Sequence, residues 1–109
     1  MAQETGWLIT LIAASDAAVQ PSRRLQRAEK RALRHLVEFG VDRLGLFANP
    51  SAAILVLSVE VDPGLVGEAD AHQLPDIVGA VLSELGRQLK AVLTLEGPFT
   101  AAWHRNDRG

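Results

Sequence analysis

With no cysteine among its 109 residues, this sequence can do chemistry only through carboxylates, hydroxyls, basic side chains and three histidines. Disulfides and thiolate metal sites are excluded. Glu68, Asp70, His72 and Asp76 set three carboxylates and an imidazole within nine residues, donor chemistry for a divalent cation if they converge. Their place just ahead of a helix start has a plainer reading, acidic groups favoured by the positive end of that helix. No metal or other cofactor is expected. Glu96 and His104 are candidates for acid–base work if burial brings a pKa near neutrality. No glycine-rich phosphate loop, G-x-S-x-G elbow or H-E-x-x-H pair occurs, which closes the catalytic routes built on them.

The densest chemical feature is basic. Residues 22–40, SRRLQRAEKRALRHLVEFG, hold six of the eleven Lys and Arg residues against two acids, a local +4, while the rest of the chain carries −6. Arg24, Arg27, Arg31 and Arg34 recur at i, i+3, i+7 and i+10, on one side of a helix and opposite its apolar stripe. Such a row would neutralise phosphates of a nucleic acid or meet an acidic protein partner. Nucleic acid is disfavoured: no second helix is spaced for a helix-turn-helix, no aromatics accompany the arginines, and the acidic remainder repels a polyanion. The expected role is a solvated face, open to an acidic partner and held by Glu–Arg pairs worth about 0.2–0.5 kcal/mol each. Gly64-Leu65-Val66-Gly67 is similar to the GXXG clamp of RNA-binding KH domains. That clamp joins two helices, whereas this segment follows a strand and Pro63, so a tight turn is expected.

Six elements position these groups. GWLITLIAAS (6–15) is rich in β-branched and aromatic residues and too short for a free-standing helix, which reads as a strand. A helix starts near Ser22 and stops at Gly40, its stripe formed by Leu25, Ala28, Ala32, Leu36 and Phe39. Residues 41–62 make a hairpin about Asn49-Pro50-Ser51. Pro75 suits the first turn of a second helix running to about Lys90, with Val78, Val81, Leu82, Leu85 and Leu89 inward. AVLTLE (91–96) is a fourth strand, with GPFTAAWHR expected to extend it as an extra C-terminal strand past a Gly97-Pro98 break. The order β-α-β-β-α-β is that of the α+β ferredoxin-like fold: one domain over 1–109, a two-layer sandwich with a four-stranded antiparallel sheet and both helices on one face. The first and third strands are apolar on both faces, as central strands should be, and Pro98 suits an edge.

Alternation then sorts the strands into two faces. Ile9, Leu11, Leu44, Leu46, Leu55, Leu57, Val59, Leu93 and Leu95 go under the helices; Leu8, Thr10, Ile12, Phe47, Ile54, Val56, Ser58, Val92, Thr94 and Glu96 go to the other side. More than half of that outer set is apolar, more than a monomer ordinarily leaves in water. A second copy stacked sheet on sheet is the expected cover, with the tail residues Phe99, Trp103 and His104 contributing. The leading functional expectation is a homodimeric binding or regulatory module without chemistry of its own. The alternatives are a dimeric α/β-barrel-type enzyme acting on an apolar small molecule in a sheet-face cleft, and nucleic-acid binding through the arginine helix. Trp7 and Trp103 are expected as packing anchors, and the small strip Gly79, Ser83, Gly86 as a place where the first helix or a second subunit approaches. MAQET lacks the pattern of a secretory signal, and no apolar run nears the roughly 20 residues that span a bilayer, so a cytoplasmic location without membrane contact is expected. Nine Arg against two Lys leads to the expectation of a GC-rich bacterial genome as the source.

Overall fold

The alternation of apolar residues in Gly6–Ser15 does produce a strand, β1, and the rest of the sheet is assembled on its two edges. The computed structural model describes residues 6–19, 23–49 and 53–104. After β1 come α1 (Arg23–Leu36), β2 (Val41–Asn49), β3 (Ile54–Val61), α2 (Leu74–Leu89), β4 (Leu93–Leu95) and β5 (Thr100–His104). The architecture is α+β, two helices with a five-stranded antiparallel sheet. The sequence start near Ser22 and the Pro50-Ser51 turn lie outside the described residues.

The strand order is β2-β3-β1-β4, with β5 also paired to β1. One edge of β1 meets β3 from Leu8 to Ala14. The other edge is shared: β4 pairs with Ala13–Ser15 and β5 with Gly6–Thr10. Between β4 and β5 the Glu96 N–H still donates to the Ile12 carbonyl at 2.8 Å. Gly97 then takes φ +70 and Pro98 brings no N–H, so the strand breaks and resumes. The C-terminal extension is therefore an interrupted edge strand, not a free tail.

Ile9, Leu11 and Ala13 of β1 and Leu55, Leu57 and Val59 of β3 share one continuous core with Leu25, Ala28, Ala32 and Leu36 of α1 and Val78, Val81 and Leu85 of α2. These are the inward positions of both periodicities, 2 in the strands and 3.6 in the helices. The last turn of the first helix tightens into a 3-10 segment, Val37–Phe39, ended by Gly40 at φ +93. At α2, Lys90 takes a left-handed conformation and the Ala91 N–H donates to the Gly86 carbonyl at 3.0 Å. A Cβ on Gly86 would lie 2.7 Å from the Ala91 oxygen. The close approach at Gly86 thus comes from the chain's own turn and not from α1, and within the chain Gly79 has open space around its missing Cβ.

Candidate functional site

The strand residues of opposite parity to the core make a second surface, and the register orders it into rows. Phe47 stands opposite Val56, and Val56 opposite Ile12. The next row is Asn49, Ile54, Ala14 and Thr94. On the other side of the apolar row, Gly45, Ser58, Thr10 and Thr100 form a row of small and hydroxyl-bearing residues. The last row is Arg43, Glu60, Leu8 and Ala102. Greasy side chains therefore gather toward one end of the face and polar ones toward the other. In the single chain they are bare: Phe47 is 73 % exposed, Ile12 43 %, Val56 39 %, and Val92 at the sheet edge 64 %. Leu8, Ile54 and Ser58 are half-buried; Thr10, Thr94 and Glu96 are exposed.

The described tail residues, 99–104, do not cover this face. Trp103 pairs with Trp7 on β1, the parity of Ile9, and the two rings meet edge to face with centroids 5.5 Å apart. Phe99 packs against the core. The aromatics expected on the outer face thus belong to the core side, because β5 runs in register along β1 and its alternation turns Trp103 inward. Of the three tail candidates only His104 has the outward parity, opposite Gly6. Glu96 sits near Ile12 and His104 near Gly6, six residues apart along β1 or roughly 20 Å at the rise of a strand. The two acid–base candidates do not share a site.

What His104 does join is a groove of about 270 Å³ at the end of the sheet, lined with it by Leu8, Asp42, Arg43, Glu60 and Val61. A register shift between Val41 and Arg43 builds its wall. Plain alternation from Leu44 would turn Asp42 inward and Val41 outward; the bulge reverses them, and Val41 is fully buried while Asp42 is exposed. Arg43 Nη1 lies 3.8 Å from Glu60 Oε2 across the strand pair. Gly6 closes the floor at φ +140, where a Cβ would meet the Val61 oxygen at 2.6 Å, so only glycine fits. Comparison of the chain with protein-family models, with curated proteins and with solved structures finds no match in any of the three.

The remaining candidates separate clearly. Glu68, Asp70, His72 and Asp76 do not converge, and among the described residues no three His, Asp or Glu side chains are placed to hold a metal. Asp70 Oδ2 instead accepts the Gly67 N–H at 2.9 Å. Gly64–Gly67 is a turn: Asp62 Oδ1 accepts the Gly64 N–H, and the Asp62 carbonyl accepts those of Leu65 and Val66. The indole N–H of Trp7 donates to the Gly67 carbonyl at 2.9 Å and ties that loop to β1. Arg24, Arg27 and Arg31 line a groove between α1 and the end of α2, from which Arg34 is absent and to which Lys90 is added.

Further along the same helix pair lies a cluster that the helical spacing alone does not show. Glu84, whose side chain is 13 % exposed, accepts from Arg87 Nη2 at 2.8 Å and from Gln88 Nε2 at 2.9 Å. His35 Nδ1 lies 2.9 Å from the same carboxylate and 3.0 Å from Arg87 Nη2; protonated it donates to Glu84, unprotonated it accepts from Arg87. Burial pushes the Glu84 carboxyl up, but the hydrogen bonds from Gln88, Arg87 and His35 and the charge of Arg87 outweigh it and hold the group below its usual range. The cluster ties the two helices together.

Proposed function

We propose that the chain is a ferredoxin-like two-layer sandwich, both helices on one side of the sheet, that works in the cytoplasm as a homodimeric binding or regulatory module assembled through the outer sheet face. The single observation that carries this is the bare apolar row Phe47–Val56–Ile12. Full burial of a side chain of this size is worth about 1.5–3 kcal/mol. Several left in water forgo a stabilisation comparable with the whole stability of a small domain, about 5–15 kcal/mol. The apolar patch toward one end of the face is bordered by Asn49, Thr94 and Glu96 and gives way to the Arg43–Glu60 pair at the other end, an apolar area edged by polar groups as interfaces are. A two-fold axis through the face would bring a second copy of the same row onto it.

The test is the mass of two outer-face variants in solution. Phe47→Asp and Ile12→Thr change side chains that take little part in the core, so the fold is expected to survive, as circular dichroism would show. Each should run at the 11.7 kDa of one chain under conditions where the unaltered protein runs at twice that mass. Variants that stay dimeric would remove the outer face from the assembly.

A second reading, an enzyme of the dimeric α/β-barrel kind, draws on the groove at His104, where an imidazole, Arg43 and Glu60 converge beside Leu8. Such a pocket suits a small molecule with one apolar and one charged end. Under this reading a ligand found by screening should shift the His104 imidazole resonances and lose at least tenfold in affinity in Arg43→Gln; ligands that bind without moving His104 would count against it.

A further inference from the structure

The groove between α1 and the end of α2 has a use that the sheet face does not touch. It holds about 380 Å³ and is lined by Arg24, Arg27, Arg31 and Lys90, with Ala28 and Gln88 between them. We propose that this groove binds a small anion carrying two or more phosphoryl groups, of the pyrophosphate or nucleoside diphosphate kind.

Three observations lead there. First, four positive side chains converge on one concavity, and among the described residues no carboxylate lies within ion-pair distance of Arg27, Arg31 or Lys90. Glu84 of α2 is already occupied by Arg87, Gln88 and His35, and Glu29 of α1, between Arg27 and Arg31 in sequence, makes no ion pair among the described residues. Gathering like charges without counter-charges is unfavourable by itself and is relieved when an anion enters. Second, the first turn of α1 holds no acid and opens with Arg23 and Arg24, cations at the end of a helix that is already positive. Sequence choices that break a local rule in this way tend to fall at functional sites. Third, three of the four cations are guanidinium groups, whose planar donor forks grip phosphate oxygens two at a time.

Size and charge narrow the class. Two phosphoryl groups bring about three to four negative charges at neutral pH, a match for the four cations. A nucleic acid needs a long basic track, and here the surroundings are acidic: outside residues 22–40 the chain carries −6. The groove therefore favours a compact polyvalent anion over an extended one. Arg24 has a second duty, donating to the Leu89 carbonyl at 3.3 Å, which fixes its guanidinium at the groove's inner end.

Titration calorimetry of the full chain with sodium pyrophosphate at low ionic strength tests this. Pyrophosphate should bind at one site per chain, with an affinity falling at least tenfold as salt rises from about 50 to about 200 mM. Arg27→Gln and Arg31→Gln, both exposed and without an ion pair among the described residues, should each weaken binding at least tenfold, whereas Arg34→Gln, outside the groove, should leave it unchanged. Absence of binding at millimolar pyrophosphate would overturn the proposal. So would equal weakening by Arg34→Gln, which would mean diffuse charge attraction, or equally tight binding of inorganic phosphate. Tighter binding of an acidic peptide such as oligo-glutamate would replace it with an acidic protein partner.

Discussion

Two glycines of α2 look alike in the sequence and differ in what surrounds them. Gly79 is exposed with nothing near its missing Cβ, while the space at Gly86 is taken by the Ala91 carbonyl. Glycine inside a helix costs about 1 kcal/mol against alanine. Gly79→Ala should accordingly stabilise the protein by about 0.5–1 kcal/mol, read as a higher urea midpoint. Gly86→Ala should destabilise it by more than that gain, because backbone rather than a flexible side chain must yield. A Gly86→Ala variant as stable as the parent would show that the turn at Lys90–Ala91 is not held where described. Trp103 is a second residue whose surroundings decide its role: its Nε1 is buried with no partner among the described residues, a cost of about 1–3 kcal/mol that its edge-to-face packing on Trp7 has to offset. Nothing in the spacing of Gly79, Ser83 and Gly86 distinguishes the two glycines, since the clash arises from a turn that begins after the helix ends.

At the scale of elements, α1 and α2 are tied by the Glu84 cluster, and its effect on stability has a definite sign. The folded-state pKa of Glu84 lies below the ordinary carboxylate value, so the unfolded chain binds the proton more readily. The contribution of Glu84 is complete above the unfolded pKa of about 4.3 and is lost as pH falls through the depressed folded value. Urea titrations of the unaltered protein and Glu84→Gln between about pH 7 and pH 3 should show a stability difference that favours the unaltered protein at pH 7 and closes in the acid range. A difference that does not change with pH would contradict the hydrogen-bonded carboxylate. The elements themselves were legible: strand and helix periods gave β1, α1, β2, β3, α2 and β4 with most of their inward residues, and Gly97-Pro98 marked the break before β5; Phe39, placed in the stripe of the first helix, is instead exposed where the last turn tightens. The pairing of β5 was not legible, because parity across a break depends on how many residues the break consumes. That is why Trp103 faces the core and not the outer surface. The Asp42 bulge was hidden for a similar reason, as one extra residue reverses an alternation that otherwise looks unbroken.

For the molecule as a whole, the outer face has more apolar surface than a lone chain can expose without loss, and among the described residues no segment folds over it. The sequence showed how much of that face is apolar; the register shows that the apolar part is a patch toward one end, with hydroxyls and the Arg43–Glu60 pair toward the other. The basic groove lies between the helices, on α1 and the end of α2, so assembly through the sheet would leave it open to a ligand. Among the described residues no helix is long and apolar enough to cross a membrane. The most direct measurement is light scattering of the unaltered chain across a dilution series from about 200 to about 1 μM. The account expects twice the single-chain mass of 11.7 kDa over the upper part of that range. A mass of one chain at every concentration would contradict it.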